Sequence, residues 1–189
     1  MRLSKASLIV VTLLTLASTG CRTKPDLSRA PATIFLVRHA EKVPDGRIDL
    51  SSAGQERAEL LARAFSESAS KFPTPQALFA AHLSAHSNRS LQTLLPLAAS
   101  LHLPIDDSYR NENFTGLAAM LLSGRYAGKV VLVAWHRGKL PQLATALGAK
   151  PPYGVWPEQQ YDRIWRIDYS EGRAVLQELP YPTPSGAAK

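Results

Sequence analysis

The sequence predicts an α/β fold, a three-layer α/β/α sandwich with a largely parallel central sheet. Short apolar runs rich in β-forming residues alternate along the chain with segments whose apolar residues recur at helical spacing. The 189 residues, 45% of them hydrophobic and 20% charged, suffice for one folded core and are too few for two domains of ordinary size. Because alternating strands and helices place parallel strands beneath crossover helices, one layered domain is expected.

The elements follow from local patterns. Continuous apolar runs such as TIFLV and KVVLVA predict buried strands, and apolar residues such as Ala58, Leu61, Ala62 and Phe65 repeat at helical spacing. Pro96 falls inside one helix and is expected to kink it or to move its start. The predicted strands are residues 33–37, 77–81 and 129–134, the helices are 50–66, 90–101, 114–122 and 141–147, and a terminal hairpin pairs 165–169 with 174–179.

The N-terminus has the layout of an export signal. Arg2 and Lys5 precede the uncharged, mostly apolar residues 6–17, and small residues lead to Cys21. A cysteine directly after glycine resembles the lipobox of bacterial lipoproteins, whose new N-terminal cysteine carries lipid. We therefore expect residues 1–21 to be a signal peptide with a lipobox-like cleavage site and Cys21 to be the lipid attachment site, with an ordinary export signal as the alternative. This would anchor the exported protein to a bacterial membrane, facing the periplasm or the cell exterior.

The rest of the chain divides into a tether at 22–31, a folded domain at 32–180 and a flexible tail at 181–189. A single cysteine excludes an intramolecular disulfide and a metal site built from several cysteines. The formal net charge of +7 suits nucleic acid, an anionic membrane surface or a phosphorylated substrate. Nucleic acid is not expected as a partner, because no recognisable reading motif accompanies the charge.

Polar side chains follow three predicted strands. Arg38 and His39 follow the first, Arg89 opens the helix after the second, and His136 follows the third. Because ligands of open α/β sheets bind at the carboxyl ends of strands, these side chains are expected at one edge. Arginine forks onto phosphate, a helix N-terminus attracts anions, and histidine can act as a nucleophile. The pattern predicts a phosphate pocket with no metal ligand set.

Four segments, LVRHAEK, LSSAGQERAELLA, SNRSLQT and VVLVAWHRG, occur in this order and resemble the histidine phosphatase superfamily, with its phosphoglycerate mutase-like fold. The resemblance covers about residues 32–147 and is greatest to small members without a cap. It implies that His39 is the nucleophile that becomes phosphohistidine, that Arg38 and Arg89 bind phosphate, and that His136 binds phosphate and assists catalysis. Ala40 and Trp135 stand where the family usually has other, small residues.

The leaving alcohol of such a reaction needs a proton. The family often supplies a carboxylic acid between the segment of its second arginine and that of its second histidine. In this chain these segments are SNRSLQT and VVLVAWHRG, and Asp106, Asp107 and Glu112 lie between them. Glu112 is favoured because it is the carboxylate nearest the helix that follows.

The expected function is that of a metal-independent extracytoplasmic phosphatase that hydrolyses phosphate monoesters through a phosphohistidine and needs no cofactor. Its substrate would be a phosphorylated small molecule or an envelope glycan or lipid head group. The alternatives are a non-catalytic envelope lipoprotein with an anion-binding pocket and a phosphoglycerate mutase-like phosphotransferase. Trp156, Tyr161 and Trp165 are expected to pack in the core or against the hairpin.

Overall fold

The computed structural model describes residues 26–67 and 71–181. The predicted signal peptide and Cys21 lie outside these residues. Within the described part of the chain, no helix has the length and apolar character needed to cross a membrane.

One six-stranded sheet forms the centre of the described structure. The strands are β1 (Thr33–Arg38), β2 (Ala77–Ala80), β3 (Ile105–Asp106), β4 (Val130–Trp135), β5 (Arg163–Ser170) and β6 (Arg173–Pro180). They lie in the order β3-β2-β4-β1-β5-β6. The contacts among β1, β2, β3 and β4 are parallel, whereas β5 pairs with β1 and with β6 in antiparallel fashion. The predicted largely parallel sheet with a terminal hairpin is therefore confirmed.

The helices cover both faces of the sheet, as the three-layer prediction requires. They are α1 (Ser52–Ser66), α2 (Arg89–Leu101), α3 (Phe114–Leu121) and α4 (Leu140–Ala146). Side chains of β1 alternate between the two faces. Phe35 and Val37 pack in the apolar cluster that includes α1 and α2, whereas Ile34 and Leu36 pack in the cluster that includes α3 and α4.

Two details differ from the sequence prediction, and a third decides between two alternatives in part. Strand β3 is absent from the prediction because two residues are too short to give a periodic signal. Pro96 lies in the middle of α2, which begins at Arg89, so the proline does not move the start of the helix. Tyr181 is buried, and its backbone N–H donates to Asp162 O over 2.8 Å, so the packed chain extends one residue beyond the predicted domain end.

The start of α1 is fastened to the loop that follows β1. The hydroxyl of Ser51 accepts a hydrogen bond from Gly54 N and so caps the helix. The Ser51 N–H donates to Glu41 O over 2.9 Å, which brings that carbonyl against Gly54. A Cβ at Gly54 would overlap the Glu41 carbonyl oxygen, so this position requires glycine for space.

We expect Gly54→Ala to destabilise the protein by about 1–3 kcal/mol, because overlap with a backbone carbonyl outweighs the helix preference for alanine. Urea denaturation measures the change in free energy of unfolding. Gly154→Ala is the control, since a Cβ there meets nothing within 4 Å, and should stay within about 0.5 kcal/mol of wild type. Equal stability of the two variants would contradict the proposed close approach.

Candidate active site

Two histidines lie side by side at the carboxyl edge of the sheet. Strands β1 and β4 pair in parallel, with Arg38 opposite Trp135, so His39 and His136 are the next residue of each strand. The His39 N–H donates to Trp135 O over 3.0 Å, which continues the ladder past the strand end. The two imidazole rings lie 5.2 Å apart, centroid to centroid, in an edge-to-face arrangement.

The loop after β1 fixes the ring of His39. Its Nδ1 lies 2.8 Å from Ala40 O, and a carbonyl oxygen can only accept, so Nδ1 carries the proton. In the neutral ring, Nε2 then holds the lone pair. Ala40 itself is buried, and its N–H donates to the Thr93 hydroxyl over 2.9 Å, so alanine at this position is compatible with a well-anchored loop.

Burial keeps both histidines neutral. His39 is 5% exposed, and its burial lowers its pKa from 6.5 to about 3, against an opposing hydrogen bond to Ala40. The nearby His136, Arg89 and Arg38 lower this pKa further. Burial also lowers the pKa of His136 to about 4, and the charges of Arg89 and Arg38 act in the same direction. Both rings are therefore uncharged at neutral pH, and the positive charge of the site comes from the two arginines.

Arg38 is 4% exposed and is held by neutral acceptors. Its Nη1 donates to the carbonyl oxygens of Glu158, Gln160 and Pro157 over 2.6, 3.1 and 3.3 Å. Its Nη2 donates to the Tyr161 hydroxyl over 2.8 Å. Burial lowers the pKa of Arg38, yet a guanidinium remains protonated at neutral pH. Its Nε is buried and has no hydrogen-bond partner among the described residues.

Arg89 begins α2, and its Nε is in the same state as the Nε of Arg38. Its Nη1 donates to Arg47 O over 3.1 Å, while its Nε is buried without a partner in the described part of the chain. A buried N–H without an acceptor costs free energy, because the group has lost its hydrogen bonds to water. An anion beside the histidines would provide acceptors for the Nε–H groups of both Arg38 and Arg89.

Hydrogen bonds connect the loop after β1 to α2. Asp49 Oδ1 accepts from the amides of Asn88 and Gln92 over 3.0 and 2.9 Å, and Gln92 Oε1 accepts from Leu50 N. These contacts hold the start of α2, and with it Arg89, against the loop that carries His39.

The three candidate proton donors lie in different surroundings. Glu112 is 72% exposed and pairs with Lys139 Nζ over 2.7 Å, and the backbone N–H of Lys139 donates to His136 O. Asp107 lies 3.5 Å from the His82 ring, and Asp106 accepts from Ser108 N. Glu112 is thus the candidate connected to the His136 turn, and it lies at the rim of the site.

Tyr161 belongs to the site, although packing was expected from the sequence. Trp156 and Trp165 are fully buried, as predicted, but Tyr161 is half-buried, with its ring 6.5 Å from that of His39. The polar stretch around it gave no signal of this position, because its contact with Arg38 spans 123 residues of sequence. Trp135, in contrast, packs in the core beneath α3 and α4.

A cavity of about 430 Å³ is lined by Glu41, Arg57 and residues of the 157–163 segment, including Tyr161. A larger groove of about 630 Å³ lies at the β5–β6 hairpin. Neither concavity is lined by His39, His136, Arg38 or Arg89. Across residues 26–67 and 71–181, no cluster of three or more His, Cys, Asp or Glu side chains could hold a metal ion.

Comparison with known proteins supports the fold. No family model and no curated protein matches the sequence. Among solved structures, the chain is similar to a putative alpha-ribazole-5'-P phosphatase from Escherichia coli, with a TM-score of 0.57, 16% identity, and coverage of 79% of this chain and 96% of that one. It is also similar to a phosphoserine phosphatase mutant from Entamoeba histolytica in complex with phosphoserine, with a TM-score of 0.53, 12% identity, and coverage of 80% of this chain and 98% of that one. A third similar structure is the protein histidine phosphatase SixA complexed with tungstate, with a TM-score of 0.50, 18% identity, and coverage of 78% of this chain and 96% of that one. These structures confirm the predicted phosphoglycerate mutase-like fold.

The depressed histidine pKa values predict a specific pH dependence. In phosphate-free buffer, the ring resonances of His39 and His136 should not titrate between pH 8 and pH 5.5, because both groups protonate only near pH 3 to 4. An inflection near 6.5 for either ring, measured by NMR, would contradict this.

The same shifts affect stability, with a definite sign. Below the ordinary histidine pKa of 6.5, these two histidines bind protons in the unfolded chain but not in the folded chain. The stability that they contribute to the folded state is therefore complete above pH 6.5 and is lost as pH falls towards 4. The loss is up to about 1.4 kcal/mol per pH unit for each histidine. His136→Gln should reduce the slope of unfolding free energy against pH.

Proposed function

We propose that this protein is a phosphatase that hydrolyses phosphate monoesters through a phosphohistidine at His39. The observation that carries the proposal is the state of His39: it is buried and neutral, and its Nδ1–H is bound to Ala40 O, so that Nε2 is free to attack. The unpaired Nε–H groups of Arg38 and Arg89 provide donors for the phosphate oxygens.

The reaction proceeds in two displacements. A phosphate monoester carries about −1.5 to −2 charges at neutral pH, which the guanidinium groups of Arg38 and Arg89 counter. The Nε2 lone pair of His39 forms a bond to phosphorus, and the bond from phosphorus to the leaving oxygen breaks with its electron pair. The leaving oxygen takes a proton. Water then attacks the phosphohistidine, the P–N bond breaks, and phosphate and neutral His39 are released.

The surroundings favour this sequence electrostatically. Phosphorylated His39 has a positively charged ring, and the Ala40 carbonyl bound to Nδ1–H stabilises that charge. His136, neutral and adjacent, can donate a hydrogen bond from its ring N–H to a phosphate oxygen. The positive charge supplied by the arginines makes the proposed reaction independent of a metal ion and of a cofactor.

Two of the similar structures support this class of substrate. They are a putative alpha-ribazole-5'-P phosphatase and a phosphoserine phosphatase, and both of the named substrates are phosphate monoesters. For this chain we propose an exported phosphatase, anchored through lipid on Cys21, that acts on a phosphorylated small molecule or an envelope glycan or lipid head group. The N-terminal signal pattern supports the location.

We expect His39→Ala to abolish hydrolysis of an aryl phosphate and to prevent acid-labile labelling of the protein by a radioactive phosphoester. The reason is the loss of the nucleophilic Nε2. His102→Asn is the matched control, because His102 ends α2 at the opposite end from Arg89 and adopts a left-handed conformation that asparagine tolerates.

The outcome also separates the alternatives. Phosphate binding without labelling or turnover would indicate a non-catalytic anion-binding lipoprotein. Transfer of the label to an added phosphoglycerate, rather than to water, would indicate a phosphotransferase.

If Glu112 protonates the leaving oxygen, Glu112→Gln should lower the hydrolysis rate of alkyl phosphates by about 100-fold and that of 4-nitrophenyl phosphate by less than about threefold. Nitrophenolate leaves without a proton, so its hydrolysis does not require the acid. Asp107→Asn and Asp106→Asn are the matched controls and should change neither rate. An equal effect of Glu112→Gln on both substrates would exclude Glu112 as the proton donor.

A further inference from the structure

We propose that Tyr161 is a positioning residue that orients Arg38 towards the bound phosphate. This inference rests on the proposed phosphate site. It assigns a role to a segment, Pro157 to Tyr161, that lies far in sequence from the other site residues. Carbonyl oxygens of this segment surround Arg38 Nη1, and Tyr161 contacts the guanidinium in two ways.

Tyr161 contacts the guanidinium through both its ring face and its hydroxyl. The Arg38 Cζ lies 3.7 Å from the centroid of the Tyr161 ring, which is a cation–π distance. The Tyr161 hydroxyl accepts from Arg38 Nη2 over 2.8 Å. Together the two contacts restrict both the displacement and the rotation of the guanidinium.

The remaining contacts determine which edge of Arg38 is available. Three carbonyl oxygens surround Nη1, more than its two N–H groups need. Nε–H, by contrast, is buried with no acceptor among the described residues. Nη2 has two N–H groups, and its bond to Tyr161 uses one of them. The edge formed by Nε and Nη2 is therefore the part of the guanidinium left to bind phosphate oxygens, and Tyr161 holds that edge in position.

The acceptors on Arg38 are uncharged, which preserves its charge for the ligand. A carboxylate bound to the guanidinium would neutralise it and compete with a phosphate. Glu158 contributes its backbone carbonyl to Arg38, while its side-chain carboxylate lies 3.5 Å from Arg137. Carbonyl and phenol oxygens hold the group in place and leave its net charge unchanged.

The segment itself is well anchored. Trp156, which is fully buried, donates from its indole Nε1 to Gln160 O over 2.8 Å. That carbonyl is one of the acceptors of Arg38, so a core side chain sets the position of the Arg38 acceptors. Tyr161 is the next residue of the chain, so the anchored position of Gln160 also constrains the position of Tyr161.

The test measures the affinity of the pure protein for inorganic phosphate, which requires no turnover. Tyr161→Phe keeps the ring and removes the hydroxyl, and it should weaken phosphate binding about tenfold, the usual effect of losing one hydrogen bond to a charged group. Tyr161→Leu removes stacking as well and should weaken binding further. Tyr169→Phe is the matched control, because its hydroxyl donates to Leu147 O and not to the site; it should leave the affinity unchanged.

A double-mutant cycle with Arg38→Lys tests whether Tyr161 acts through Arg38. Lysine keeps the positive charge but lacks the planar group that Tyr161 orients. In the Arg38→Lys background, Tyr161→Phe should change the phosphate affinity by less than about twofold. A hydroxyl that merely maintained the fold, or bound phosphate directly, would have the same effect in both backgrounds.

Wild-type affinity in Tyr161→Phe, or an equal loss in both backgrounds, would overturn the inference. These results remain distinct from a failure of the proposed function. A wild-type protein that binds phosphate but neither hydrolyses esters nor labels His39 would refute the phosphatase, while the cycle would still decide the role of Tyr161.

Discussion

The pairing of β1 with β4 determines the geometry of the site. The two strands run parallel and in register from Thr33 opposite Val130 to Arg38 opposite Trp135, so they end together and each continues into a histidine. Both strands are buried on both faces, and a slip by one residue would turn every apolar side chain of β1 to the other face. The core therefore fixes the register, and the register fixes the distance between His39 and His136.

The same burial has opposite consequences for the histidines and the arginines. Moving an imidazole out of water lowers its pKa from 6.5 to about 3 in His39 and about 4 in His136, so each becomes neutral at physiological pH. Burial also lowers the pKa of Arg38 and Arg89, but the ordinary pKa of a guanidinium is so high that both stay charged. The carboxyl edge of the sheet thus holds two uncharged imidazoles beside permanent cations.

The sequence was informative where the chemistry follows a strand directly. Arg38, His39 and His136 stand at the ends of continuous apolar runs, and parallel strands bring such ends together, so their convergence could be predicted. Tyr161 could not, because no periodic pattern describes the irregular chain between α4 and β5. Its contact with Arg38 depends on how that chain returns across the sheet edge. Strand β3 was missed for a related reason, since two residues pair only because β2 offers an edge.

The partners of the arginines distinguish structural from ligand-binding roles. Several described arginines bind carboxylates, namely Arg47, Arg57, Arg163, Arg166 and Arg173. The bidentate pair of Arg57 with Glu41 fastens α1 to the loop after β1, and its charges cancel. Arg38 and Arg89 instead donate to backbone carbonyls and, in Arg38, to a phenol oxygen. Because neutral acceptors leave the charge uncompensated, these two arginines retain the electrostatic attraction that a phosphate dianion requires. Two of the basic residues in excess in the sequence thus keep an uncompensated charge near the two histidines.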